Sequence, residues 1–160
     1  MNDLPDILNW RRINARLTTS GQPTERQLAD IRALGVTHIV NLGLHHVEGA
    51  LPDEAGTVAG LGMTYIHIPV DFEAPTDEDF AVFDQAIKGH PNAVMHVHCI
   101  YNARVSAFFY RHAQSGTELS PEDALANMDS IWRPGEDWAD FIGEPAAKGQ
   151  PNRYAGEDYA

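Results

Sequence analysis

The clearest pattern of a strand followed by a loop and a helix lies in NAVMHVHCIYNARVSAFFYRHAQ, residues 92–114. Its first third is rich in apolar residues and ends at Cys99, the only cysteine of the chain. After a short loop, apolar residues recur at helical spacing from Arg104 onward. The stretch therefore predicts a buried strand over 92–99, a loop, and a helix over 104–114.

Three other short stretches have the composition of core strands. They are RLTTS (16–20), THIVNLG (37–43) and MTYIHIPV (63–70). Connections of helix length separate these strands from one another and from the strand before Cys99. Strands that alternate with helices favour a parallel sheet. We therefore expect an α/β fold, a three-layer sandwich whose small, mostly parallel central sheet is flanked by helices.

Capping signals mark the starts of three helices. Thr24 can cap the first, with Gln27 at the reciprocal position of a capping box. The second is predicted over 76–88, where acidic residues precede an apolar face. Ser120 can cap the third, and Pro121 suits its first helical position. Together with the helix after the cysteine loop, these elements should flank the sheet.

The chain length of 160 residues is that of one ordinary domain. We expect a single domain over residues 1–143. The last stretch, 144–160, has little apolar surface to bury. It is therefore expected to form a mobile C-terminal tail.

The charge balance excludes one class of partner. The chain has 11 Lys and Arg against 23 Asp and Glu, a formal net charge of −12, and such a surface repels nucleic acid. Neither a signal-peptide pattern nor an apolar run of membrane-spanning length is present, so we expect no membrane contact and a cytoplasmic location. A single cysteine cannot form an internal disulfide, which fits a reducing compartment. The sequence leaves the oligomeric state open.

The loop after the cysteine is suited to bind an oxyanion. Between a buried strand and a helix N-terminus, successive backbone N–H groups can converge on one point, where the helix dipole adds positive potential. A thiol in such a loop is favoured as the thiolate, the nucleophilic form. Arg104 adds a planar, permanently charged fork for two oxygens of a tetrahedral anion. Cys99 is therefore a candidate nucleophile, although a lone cysteine at the end of a strand can also be simple core.

Four neighbours can support this site. Asn102 is among the few residue types that accept a left-handed backbone, which a tight loop requires. His98 could anchor the loop through its ring, and Ser106 could donate a hydrogen bond to the thiolate. Tyr101 could stack on an aromatic leaving group or pack beneath the loop.

The segment HVHCIYNARVSAF resembles the signature loop of the cysteine-dependent protein-tyrosine and dual-specificity phosphatases. With SGQPT, VNLG and IPVD in the same order, the chain is similar to a bacterial phosphatase-like family within that superfamily. The likeness runs from Leu17 to Phe109. It implies a phosphatase-like fold and hydrolysis through a thiophosphate on Cys99, with no metal or organic cofactor.

The resemblance also implies individual roles. The nucleophile falls on Cys99 and the oxyanion-binding arginine on Arg104. The acid that protonates the leaving group best matches Asp71, in IPVDFEAP, because a leaving phenolate needs a proton that a carboxylic acid can give. Three other acidic residues nearby remain alternatives for this role: Glu73, Asp77 and Asp79.

The loop departs from the superfamily pattern in length. That pattern has five residues between cysteine and arginine, a central glycine, and Ser or Thr directly after the arginine. This chain has four residues there, Asn102 in place of the glycine, and Val105 before Ser106. Such a loop is closer to that of rhodanese-like sulfurtransferases, in which the cysteine carries a persulfide. A phosphatase is our main hypothesis, with a sulfurtransferase or an inactive anion-binding module as alternatives.

The substrate class follows from the charge of the loop. None of its residues is charged: Ile100, Tyr101, Asn102 and Ala103. We expect these residues to bind phosphate through backbone amides, so a multiply phosphorylated head group would meet only one guanidinium. A tyrosine or small aryl phosphate, free or on a protein, therefore fits better.

Three histidines invite a metal-binding interpretation. His96 and His98 face the same side of one strand, and His67 lies on another. Because no carboxylate or cysteine set of ligand spacing accompanies them, we expect structural histidines and no metal site.

Overall fold

Four parallel strands form the centre of the protein in a computed structural model that describes residues 2–155. They are β2 (Leu17–Ser20), β3 (His38–Asn41), β4 (Thr64–His67) and β5 (Met95–His98). A short strand β1 (Arg11–Arg12) pairs antiparallel with β2 at one edge. The order across the sheet is β1-β2-β5-β3-β4, so β5 lies in the middle, paired with β2 and β3.

Helices connect the strands and cover both faces of the sheet. They are α1 (Glu25–Ala33), α2 (Glu54–Gly60), α3 (Asp77–Lys88), α4 (Ala103–Ala113), α5 (Pro121–Asp129) and α6 (Glu136–Phe141). Within residues 2–155, no helix is long and apolar enough to cross a membrane.

Two apolar clusters, one on each face, hold the layers together. Alternation along β3 sends Ile39 into one cluster and Val40 into the other. The Ile39 cluster packs against α1, α2 and the N-terminal segment, and the Val40 cluster against α3 to α6. The expected three-layer α/β sandwich with a mostly parallel sheet is therefore confirmed.

The capping residues act as the sequence indicates. Thr24 and Gln27 form a complete capping box at the start of α1. Ser120 accepts a hydrogen bond from the Asp123 amide, and Pro121 is the first residue of α5. α3 begins one residue after Thr76. These local signals fix where the helices begin.

Helix α4 is the central helix of the molecule. Ten of its eleven residues are buried, which is why its sequence is apolar on more than one face. It follows the central strand β5 after only four residues, 99–102. A buried strand and a buried helix therefore fix both ends of the cysteine loop.

Part of the segment that we expected to form a mobile tail, 144–160, contacts the domain. Pro145–Ala147 forms a 3₁₀ turn, and strand β7 (Arg153–Tyr154) pairs antiparallel with β6 (Trp132–Arg133). The Tyr154 ring stacks on that of Trp132 at 5.8 Å between centroids. Residues 144–155 thus have defined contacts, and 156–160 lie outside the described residues.

Candidate active site

Cys99 lies at the carboxyl end of the central strand, where α/β folds place their ligand sites. The Leu42 amide donates to the His98 carbonyl at 2.8 Å and extends the contact of β3 with this end of β5. The loop that starts at Cys99 therefore leaves the sheet between the segments that follow β2 and β3.

The loop curls around the sulfur of Cys99. The Asn102 backbone N–H donates to Cys99 Sγ at 3.2 Å. Asn102 has a φ of 79°, so the left-handed backbone expected for it is confirmed. The Cys99 side chain is fully buried, which removes the sulfur from bulk water. The thiol thus faces a backbone donor at the start of a helix.

Asn102 also ties the loop to the N-terminal part of the chain. Its side-chain amide donates to the Asn9 carbonyl at 2.8 Å and to Thr19 Oγ1 at 3.0 Å. Asn9 returns a hydrogen bond from Nδ2 to the Tyr101 carbonyl at 2.8 Å. Asn102 therefore adopts a left-handed backbone, which glycine would also allow, and adds two side-chain hydrogen bonds, which glycine could not make.

The turn after β2 holds the loop from another side. The Gln22 amide donates to the Ile100 carbonyl at 3.0 Å. A Cβ on Gly21 would lie 2.6 Å from the same oxygen, so only glycine allows this close approach. The SGQPT segment, which by composition is simply a turn, thus braces the cysteine loop.

Arg104 links the loop to the segment after β4. Its guanidinium is largely buried, and Nη1 donates to the Val70 carbonyl at 2.8 Å. The centroid of the Phe72 ring lies 5.9 Å from Cζ. The residue between these two contacts is Asp71, so the candidate acid belongs to the segment that Arg104 holds.

The acidic residues after β4 differ in their contacts. Asp71 is exposed, and its Oδ1 accepts from the Glu73 amide at 2.9 Å in a local turn. Asp77 pairs with Arg111 at 2.9 Å, and Asp79 completes the capping box of α3. Asp77 and Asp79 therefore have structural roles at α3. Asp71, by contrast, directly follows Val70, whose carbonyl accepts the hydrogen bond from Arg104.

The hydroxyl of Ser106 has another partner than the expected one. It donates to the Ala103 carbonyl at 2.8 Å and accepts from Trp132 Nε1 at 3.0 Å. A hydroxyl has one proton, so this geometry corrects the expected hydrogen bond from Ser106 to the thiolate. The residue instead joins α4 to β6.

A buried carboxylate that the sequence does not identify lies behind the loop. Glu54, in the first turn of α2, is 2% exposed, and its Oε2 lies 2.6 Å from His98 Nε2. Gln22 Nε2 donates to Glu54 Oε1 at 2.7 Å. Burial alone would raise the pKa of Glu54, but the hydrogen bonds from His98 and Gln22 and the charge of His98 hold it below the ordinary value. In the sequence, Glu54 is indistinguishable from an acid that complements the helix dipole.

The other two histidines have structural partners. The hydroxyls of Thr18 and Ser20 form hydrogen bonds with the two ring nitrogens of His96, at 2.9 and 2.8 Å. Burial, together with the charge of the nearby His98, puts the pKa of His96 well below its ordinary value. His67 donates from Nε2 to the Gly43 carbonyl at 2.7 Å. Over residues 2–155, no group of three or more His, Cys, Asp or Glu is arranged to hold a metal ion.

Tyr101 lies at the protein surface. Its side chain is exposed, and its ring meets the Tyr154 ring edge-on at 5.5 Å between centroids. The C-terminal strand β7 thus contacts the cysteine loop through an aromatic pair.

Solved structures with the same fold include phosphatases. The chain is 30% identical to a protein of Shewanella putrefaciens CN-32 described as "Putative phosphatase (DUF442)", over 90% of this chain and 95% of that one, with a TM-score of 0.76. A second crystal structure with that description gives 29% identity, coverage of 86% and 84%, and a TM-score of 0.72.

More distant structures share the fold alone. Tk-PTP in its active form is 22% identical, over 75% of this chain and 82% of that one, with a TM-score of 0.62. P. aeruginosa TpbA in complex with pTyr is 17% identical, with coverage of 76% and 72% and a TM-score of 0.59. No protein-family model and no curated protein matches the chain.

Proposed function

The chain belongs to the DUF442 family, and we propose that it is a cysteine-dependent phosphatase acting on phosphate monoesters of the tyrosine or small aryl type. One observation carries the proposal: the Asn102 backbone amide lies 3.2 Å from Cys99 Sγ, and the first turn of α4, directly after this loop, carries the buried guanidinium of Arg104. A nucleophile beside oxyanion donors is the arrangement that phosphoryl transfer to a thiolate requires.

In the first step, the Cys99 thiolate attacks phosphorus. The S–P bond forms as the bond from phosphorus to the ester oxygen breaks. Loop amides and Arg104 hold the three equatorial oxygens, whose charge is stabilised in the transition state. Asp71 gives its proton to the departing oxygen, so the alcohol or phenol leaves neutral.

In the second step, water attacks the thiophosphate. Asp71, now a carboxylate, takes a proton from the water. The S–P bond breaks, and its electron pair returns to Cys99 as the thiolate. Inorganic phosphate leaves, and the enzyme is restored without an oxidant, a metal or a cofactor.

The charge of the site supports a substrate with a single phosphoryl group. The four residues between Cys99 and Arg104 are uncharged, and the chain as a whole is strongly acidic. TpbA, whose fold is similar, has been solved in complex with pTyr. The exposed Tyr101 ring on the same loop could contact an aromatic leaving group.

The test is turnover of phosphotyrosine and p-nitrophenyl phosphate by the wild-type protein and by Cys99→Ser. We expect turnover that the substitution abolishes while the thermal unfolding transition remains. Faster hydrolysis of polyphosphoinositides than of aryl phosphates would contradict the proposed substrate class.

Two controls separate the other chemistries. Sulfur transfer from thiosulfate to cyanide, with a persulfide on Cys99, would contradict the phosphatase and identify a sulfurtransferase. Vanadate binding with neither turnover nor persulfide would identify an anion-binding module.

A further inference from the structure

The strongest unassigned feature is the buried contact between Glu54 and His98. Both side chains are almost fully removed from water, and 2.6 Å separates Oε2 from Nε2. Neither group has a role in the mechanism proposed above. A carboxylate placed in the core needs such a partner, because an isolated buried charge is strongly unfavourable.

The two nitrogens of His98 have different partners, and these partners determine where its protons are. Nδ1 lies 3.0 Å from the Cys99 carbonyl, which can only accept, so Nδ1 must carry a proton. Nε2 faces the carboxyl group of Glu54, so either an imidazolium ring donates from Nε2 to the ionised carboxylate, or a neutral ring accepts at Nε2 from the protonated carboxyl group. In both cases the contact with Glu54 stabilises the ring with Nδ1 protonated.

Glu54 is itself held in place at both oxygens. Gln22 Nε2 donates to Oε1 at 2.7 Å, while Oε2 faces His98. The Gln22 backbone amide also donates to the Ile100 carbonyl, in the cysteine loop. One residue of the turn after β2 thus connects the carboxylate and the loop.

We propose that Glu54 is a positioning residue for the nucleophile, which acts on Cys99 through His98. By keeping Nδ1 of His98 protonated and its ring oriented, Glu54 fixes the Cys99 carbonyl and with it the place of the sulfur in the loop. The kinetic part of this inference rests on the proposed phosphatase function.

Two substitutions distinguish orientation from charge. In Glu54→Gln, the amide oxygen can accept from Gln22 and the amide NH₂ can donate to His98 Nε2, which preserves the whole chain of hydrogen bonds without the charge. Glu54→Met keeps a similar volume but offers no hydrogen bond. Asp53→Ala is the matched control, because Asp53 caps α2 through the Gly56 amide and does not contact His98.

The measurements are kcat and KM for p-nitrophenyl phosphate, the rate of Cys99 alkylation by iodoacetamide read by intact mass, and the ¹⁵N shifts of the His98 ring. At metal sites, removing the group that holds the second ring nitrogen of a ligating histidine typically lowers metal affinity or activity by about 10–100-fold. We expect a loss of about tenfold or more in kcat and in alkylation rate for Glu54→Met, with KM within about threefold. Glu54→Gln and Asp53→Ala should remain near wild type in both rates.

Several results would overturn the proposal. Wild-type rates per folded molecule in Glu54→Met would show that the carboxylate is structural only. Equal losses in the Gln and Met variants would show that charge, not orientation, matters. If Glu54→Met does not fold, the ring shifts of the wild type and Glu54→Gln decide: protonated Nδ1 in both supports the proposal, and an unprotonated Nδ1 contradicts it. Absence of phosphatase turnover in the wild type contradicts the proposed function alone, because alkylation and ring shifts do not depend on it.

Discussion

Arg104 donates from Nη1 to the carbonyl oxygen of Val70 at 2.8 Å, across 34 residues of sequence. This bond joins the cysteine loop to the segment that carries Asp71. A buried guanidinium requires such an acceptor, since an unpaired donor in the core is costly. The same contact joins the candidate oxyanion-binding residue, Arg104, to the segment that carries the candidate acid.

The geometry at Arg104 predicts that lysine cannot replace it. A single ammonium cannot hold two phosphate oxygens and a backbone carbonyl in the plane of a guanidinium. We expect Arg104→Lys to lower kcat/KM for p-nitrophenyl phosphate by about 10²–10³-fold, the effect of losing one oxyanion donor. Arg111→Lys is the matched control on α4, since its partner Asp77 is exposed, and it should keep wild-type kinetics. Comparable losses in the two variants would contradict the assignment.

The position of Asp71 predicts an effect that depends on the leaving group. Asp71→Asn should lower kcat/KM for phosphotyrosine by about 10²–10⁴-fold, because kcat/KM reports the first step, in which a poor leaving group needs the proton. The kcat/KM for an activated aryl phosphate, which leaves without a proton, should fall far less. Glu73→Gln is the control in the same turn. If Glu73→Gln shows the selective loss and Asp71→Asn does not, the acid is Glu73.

The left-handed backbone of Asn102 predicts a difference between two small replacements. Asn102→Gly and Asn102→Ala both lose the hydrogen bonds to Asn9 and Thr19. Alanine also incurs the strain of a φ near 79°, which costs an L-residue roughly 1 kcal/mol or more. In urea denaturation, Asn102→Ala should therefore be less stable than Asn102→Gly by about 1 kcal/mol. Equal stabilities would show that the loop relaxes.

We expect the burial of His96 to make the folded protein less stable in acid. Burial and the charge of His98 put its folded pKa well below the ordinary 6.5, so the unfolded chain binds the proton first as the pH falls. Its contribution to the free energy of unfolding is complete above pH 6.5 and declines below it, by at most about 1.4 kcal/mol per pH unit. Urea denaturation at pH 7 and pH 5 measures this, and His96→Gln should show a smaller decline. An unchanged decline would assign the effect to other groups.

Local signals in the sequence were sufficient for most of the fold. The capping residues Thr24 and Ser120 and the apolar strand before Cys99 depend on neighbours close in sequence, and they were predicted correctly. The two-residue strands β1, β6 and β7 were not, since two residues carry no periodicity. The contacts of residues 144–155 escaped prediction because they join single groups, such as the Tyr154 ring and the Gln150 carbonyl, to residues elsewhere in the chain, and such contacts leave no periodic pattern in the sequence.

The site was predictable where its residues are adjacent in sequence. Cys99 and Asn102 lie in the cysteine loop and Arg104 lies in the first turn of α4 directly after it, so their chemistry could be interpreted together. The partners Val70 and Glu54 come from other segments, and only the fold brings them to the loop. The proton of Ser106 was assigned to the wrong partner because the competing acceptor, a backbone carbonyl of its own helix, has no sequence signal.

The covalent phosphoryl intermediate on Cys99 can be trapped directly. The protein is mixed with an excess of p-nitrophenyl phosphate, quenched in acid during turnover, and analysed by intact mass and peptide mapping. The proposed mechanism predicts one phosphoryl group on the peptide that contains Cys99 in the wild type, more of it in Asp71→Asn with this activated substrate, and none in Cys99→Ser. Turnover that persists in Cys99→Ser, or a phosphoryl group on another residue, would contradict it.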